Sequence, residues 1–84
     1  MDKGVFKIIN EDFKEELRGT VIKELFSIGL NHVMAKSEDN LKSTRLSILY
    51  LAKGKLSEVI ELTKRAKIDF RDVIMMAIKE RTAE

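Results

Sequence analysis

The chain is predicted to be all-α: a compact bundle or array of about four helices behind a short N-terminal arm. Three observations lead there. Its 84 residues include no proline and four glycines, so little interrupts the chain. Apolar residues recur at three- and four-residue spacing through most of its length. Residues that start or stop helices stand at the edges of those patterns, most plainly Ser37, Gly54 and Asp69. The length fits a single domain, residues 1–84.

The arm is the apolar run Val5-Phe6-Lys7-Ile8-Ile9, too short for periodicity to separate strand from helical turn. Asn10 reads as an N-cap, with Glu11 and Asp12 in the first turn, where carboxylates suit the positive end of a helix dipole. The helix that follows carries Phe13, Leu17, Val21, Leu25 and Ile28 as one stripe, and Ile22, Phe26, Leu30 and Val33 as a second. A helix apolar on two sides is sandwiched between neighbours or shared with another chain. Gly29 either ends this helix as a left-handed cap or lies inside a helix running to about Met34.

Ser37 is the next N-cap, followed by Glu38 and Asp39, with Glu38 and Lys42 spaced for an i,i+4 pair. Leu41, Ile48, Leu49 and Ala52 form the apolar face of this helix, widened by Leu46, Tyr50 and Leu51, and Gly54 stops it. A third pattern runs through Leu56, Val59, Ile60, Thr63 and Ala66, and Lys64, Arg65 and Lys67 crowd its C-terminal turn. Asp69 caps a fourth helix, with Asp72 placed for an acidic capping box and a face of Phe70, Val73, Ile74, Ala77 and Ile78. The turn between these last two helices is expected to span two or three residues.

Composition narrows the function classes. Apolar residues at 44% are too many for a disordered chain, and charged residues at 36% too many for a membrane protein. The longest apolar runs, Ile48 to Ala52 and Val73 to Ile78, fall far short of a bilayer span of about 20 residues. Cysteine is absent, which removes disulfides and thiolate metal sites. No secretory leader pattern opens the chain, so a cytoplasmic location is expected. The net charge of +2 is spread along the sequence, and a pI near 9.0 overstates the case for nucleic acid.

The residues able to do chemistry form no known constellation. His32 is the single histidine and has no second ligand or nucleophile at helical spacing, so a structural role is expected. Glu11, Asp12, Glu15 and Glu16 read as a solvated helix start, since the Glu-x-x-His pairs of di-metal bundles are missing. Phosphate loops, nucleophile elbows and zinc-protease motifs are missing as well. A non-catalytic protein without cofactor, metal or identified small-molecule substrate is expected.

Two surfaces remain. Met75 projects off the buried stripe of the last helix and Met76 lies on its flank, and surface methionines suit adaptable binding. Together with the second stripe (Ile22, Phe26, Leu30 and Val33) they form the expected contact for self-association as a homodimer or for a partner protein, unless other helices or the Val5–Ile9 arm cover both. The alternative is a small DNA-binding regulator, with residues 56–81 as a helix-turn-helix-like pair and Lys64, Arg65, Lys67 and Arg71 on the phosphates.

Residues Leu51, Ala52, Lys53 and Gly54, and then Asp69, Arg71, Asp72 and Val73, follow a pattern of helix end, amphipathic helix and aspartate cap. Over Leu51 to Ala77 the chain resembles small uncharacterised bacterial helical proteins, although those place an aspartate where this chain has Lys55. The resemblance implies an intracellular helical protein and no particular activity.

Overall fold

The computed structural model describes residues 3–33 and 37–83. Within them lie five α-helices: α1 (Lys3–Asp12), α2 (Glu15–Phe26), α3 (Glu38–Ala52), α4 (Leu56–Ile68) and α5 (Phe70–Ala83). A 3-10 turn, Leu30–His32, follows α2. The fold is therefore all-α as expected, but the arm is a fifth helix. Val5 and Ile9, four residues apart, share one face of α1 and are wholly buried, which ties this short helix to the core.

The expected helix start at Asn10 is a helix end. Asn10 and the acids after it close α1, and the chain turns at Phe13, whose ring is buried. α2 starts behind extended Lys14, with Glu15 and Glu16 in its first turn. What fixes this boundary is Arg18 on α2. Its Nε donates to the Phe13 carbonyl at 2.9 Å and its Nη2 to the Asn10 carbonyl at 3.0 Å. These are carbonyls that a helix end leaves without intrahelical partners.

Neither reading of Gly29 holds. α2 stops at Phe26, and Gly29 has φ −109°, so it is neither helix interior nor left-handed cap. Gly29 instead opens the 3-10 turn, donating its N–H to His32 Nδ1 at 2.9 Å. His32 thus plays the part a Glu or Gln side chain plays in a capping box. Met34, at the far end of the longer helix considered, lies outside the described residues.

The later boundaries match their local chemistry. Ser37 Oγ accepts from the Asn40 N–H at 3.2 Å and starts α3. α3 ends in two left-handed residues, Lys53 (φ 50°) and Gly54 (φ 80°). A single residue, Asp69, joins α4 to α5, fewer than expected. Its Oδ1 accepts from the Arg71 N–H at 3.1 Å, so it caps α5. The capping box does not close: the Asp69 N–H goes to the Arg65 carbonyl at 2.9 Å, and the Asp72 carboxylate is taken by Arg65 Nη1 at 3.2 Å.

α3 is the central element, packed against α1, α4 and α5, while α2 packs on α4. One cluster joins the buried side chains of all five helices, with Ile48 and Leu49 of α3 among those wholly enclosed. Ala52, Ala66 and Ala77, one each on α3, α4 and α5, are at most 1% exposed and let these helices approach closely. Leu62 is buried too, although it stands outside the apolar pattern read for α4. The radius of gyration is 11.8 Å, matching the roughly 12 Å of a well-packed chain this long.

Two glycines separate backbone strain from helix propensity. A Cβ at Gly54 would stand 2.9 Å from the Asp12 carbonyl oxygen, on a residue at φ +80°. Gly54→Ala is expected to lose about 1–2 kcal/mol in urea unfolding. Gly19, inside α2, has nothing within 4 Å of such a Cβ, and Gly19→Ala is expected to gain about 0.5–1 kcal/mol. Equal effects at the two positions would contradict this turn geometry.

Candidate functional site

The stripe assigned to an interface runs from α2 through the 3-10 turn and packs partly against the core of its own chain. Val33 is only 6% exposed, and Ile22, Phe26 and Leu30 are half-buried against the core. The Phe6 ring stacks on Phe26 with centroids 5.7 Å apart and planes 16° from parallel. The Arg45 guanidinium of α3 lies over the Phe26 ring, 3.9 Å from its centroid. The same guanidinium donates from Nε to the Leu25 carbonyl at 3.2 Å and from Nη2 to the Ile28 carbonyl at 3.1 Å. One side chain thus takes carbonyls at the end of α2 and lies over its last residue, Phe26. The ground for placing these four residues at a contact, that they lack a partner in their own chain, is removed.

The paired methionines separate. Met76 is half-buried and packs against the core beside Leu51 and Leu62. Met75 is 52% exposed. Ile78, read from sequence as part of the buried face, is 42% exposed, because the stripe of α5 runs through Phe70, Val73 and Ala77 and leaves Ile78 to one side. Beside it, Ser43, Leu46 and Tyr50 of α3 and Ile74 and Ile78 of α5 line a mostly apolar hollow of about 300 Å³.

The most exposed large hydrophobic among the described residues lies outside the apolar patterns of the sequence. Ile68, at the last position of α4, is 88% exposed. A signal existed: it lies about two and a half helical turns beyond Val59, directly opposite the buried stripe. Hollows of about 380 and 350 Å³ flank it. The first is lined by charged residues of α4 and α5, and the second has Val33 and Phe70 in its lining.

The proposed phosphate contacts are all exposed, and most already face a carboxylate. Arg65 Nη1 lies 3.2 Å from Asp72, Arg71 Nε 3.4 Å from Asp69, and Lys64 Nζ 3.7 Å from Glu61. The corner where α4 meets α5 therefore carries alternating charge of both signs around Ile68. His32 is committed to the 3-10 turn through Nδ1. The four N-terminal acids divide between two helices: Glu11 and Asp12 end α1, and Glu15 and Glu16 open α2, so they share no single helix face. Among the described residues, no three His, Cys, Asp or Glu side chains are grouped as metal ligands, and no helix is long and apolar enough to cross a membrane.

Known protein families, curated proteins and solved structures hold no match to this chain.

Arg45 is expected to carry much of the attachment of α2. Arg45→Ala should lower the unfolding free energy by about 2–3 kcal/mol, for two charged hydrogen bonds and one cation–π contact. Arg45→Lys should recover less than half, because an ammonium cannot span two carbonyls as a planar fork does. Urea unfolding followed by circular dichroism reads both. A loss under about 0.5 kcal/mol in Arg45→Ala, the ordinary surface range, would contradict the assignment.

Proposed function

We propose that the chain is a non-catalytic cytoplasmic protein that acts by protein–protein association through the outer face of α5 and its corner with α4. One observation carries this reading. Among the described residues, the exposed large hydrophobics, Ile68, Met75 and Ile78, all fall within eleven consecutive positions, while Ile22 and Phe26 of α2 are half-buried against the core. Elsewhere the same fold encloses Val5, Ile9, Phe13 and Ile28 almost completely.

The chemistry of this face suits a protein partner. Met75 is unbranched and polarisable and adapts to irregular apolar surfaces. The hollow between α3 and α5 offers a recess beside Ile78 for a side chain of the partner. Ile68 stands out from the far end as a separate anchor. Of the contact residues read from sequence, Met75 stays in the proposal, Met76 borders it, and Ile22, Phe26, Leu30 and Val33 leave it. Duplex DNA fits this face less well. Asp69 and Asp72 stand beside Arg71 and Arg65 at the N-terminal end of α5, where they would repel phosphates.

A photo-cross-linking residue in place of Met75 tests this reading in living cells. A discrete protein adduct is expected, and it should disappear when Ile68→Asp and Ile78→Asp are added. The same double variant should unfold within about 0.5 kcal/mol of the parent, as surface changes do. Absence of any discrete adduct, or a stability loss above about 2 kcal/mol that places these side chains in the interior, would overturn it.

A further inference from the structure

We infer that the partner seats a tyrosine side chain in the hollow between α3 and α5, with a carboxylate beside it on Arg81; this rests on the reading of the α5 face as an association surface. The burial of the lining residues gives the hollow a floor and a rim. Ser47 of α3 is 4% exposed, whereas Ile78 is 42% exposed and Arg81 is exposed as well. Leu46, Tyr50 and Ile74, all half-buried, form the walls between them. The space of about 300 Å³ equals that of roughly ten water molecules, enough for one large side chain.

The floor carries the first polar signal. Among the described residues no hydrogen bond engages the Ser47 hydroxyl, so its partner has to come from the side of the hollow. A leucine or phenylalanine seated there would cover this hydroxyl with carbon and leave it unpaired, which is costly. Tyrosine joins an apolar ring, suited to the walls, to a hydroxyl at its tip that can donate to Ser47 or accept from it.

The rim carries the second signal. Arg81 is the one charged residue in the lining. Its guanidinium lies over the Tyr50 ring, 5.3 Å from the centroid, and its Nε donates to the Ala77 carbonyl at 3.4 Å. Both Nη groups are left without a partner among the described residues, and no carboxylate there pairs with them. Arg65 and Arg71 differ in this, since each already faces an aspartate. A planar fork with uncommitted donors beside an apolar recess is complementary to a carboxylate next to a ring. The partner segment is therefore acidic as well as aromatic: a tyrosine flanked by Asp or Glu.

Titration of the full chain with the blocked tripeptide acetyl-Glu-Tyr-Glu-amide, followed through amide chemical shifts by NMR, tests this. Shifts are expected at Ser47, Tyr50, Ile78 and Arg81, with a dissociation constant of about 1 mM, the strength of one seated side chain and one ion pair. Acetyl-Glu-Phe-Glu-amide and acetyl-Gln-Tyr-Gln-amide should each bind at least about fivefold more weakly. Ser47→Ala should remove the preference for Tyr over Phe and keep that for Glu over Gln, and Arg81→Gln should do the reverse. Both variants should keep the parent's circular dichroism spectrum. The parent's own ranking of the three peptides decides even where a variant fails to fold. No shift in the hollow at about 10 mM peptide overturns the inference, and so does equal binding of the Phe or the Gln peptide. Met75 can still cross-link to a protein seated elsewhere on the face, so this failure is separate from that of the association reading. Absence of any Met75 adduct brings down the association reading and this inference with it.

Discussion

The guanidinium of Arg45 decides how the first half of this protein is arranged. A chain without proline has few ways to stop a helix, and α2 has no glycine in a left-handed conformation at its end. Ser27 donates to the Lys23 and Glu24 carbonyls, and Arg45 of α3 adds hydrogen bonds to the Leu25 carbonyl and to that of Ile28 just beyond the helix. The cation also lies over Phe26, which Phe6 of α1 stacks upon. α1, α2 and α3 therefore meet at one side chain. Arg18 repeats the device on a smaller scale, taking carbonyls at the end of α1, where Glu11 and Asp12 sit unfavourably for the helix dipole.

That arrangement bears on function. Phe26 at the end of α2 is half-buried beneath Arg45, and Val33, beyond the 3-10 turn, is 6% exposed. Among the described residues, the exposed large hydrophobics stand on the last helix and at its corner, at Ile68, Met75 and Ile78. In a small domain each buried side chain contributes about 1.5–3 kcal/mol, against a net stability of only some 5–15 kcal/mol. Among the described residues, three large apolar side chains stay in water while the core beside them is closely filled.

How much of this could be read from the sequence follows from how local each determinant is. Ser37, Gly54 and Asp69 were legible because their partners lie within four residues or in their own backbone angles. In residues 3–33 the buried stripe through Phe13, Val21, Leu25 and Ile28 was legible, but the helix boundaries were not. The end of α1 depends on Arg18, eight positions beyond Asn10, and the end of α2 on Arg45, twenty beyond Leu25. An asparagine followed by two acids looks like a helix start, and nothing nearby shows that a distant arginine makes it an end. The exposure of Met75 was legible from helical spacing. Ile78 was misplaced because an apolar residue was allotted to the nearest apolar stripe, and Ile68 was missed because its position opposite Val59 and Ala66 was not followed to the end of α4. The proposed surface was thus half visible, through one methionine.

The central claim is that one folded chain covers its α2 face and leaves its α5 face open. Hydroxyl-radical labelling of dilute monomer, read residue by residue by mass spectrometry, measures this most directly through two neighbours on one helix. Met75, 52% exposed, should label severalfold faster than half-buried Met76, while Phe26, beneath Arg45 and beside Phe6, stays protected. Protection of Met75 equal to that of Met76, together with rapid labelling of Phe26, would contradict the account.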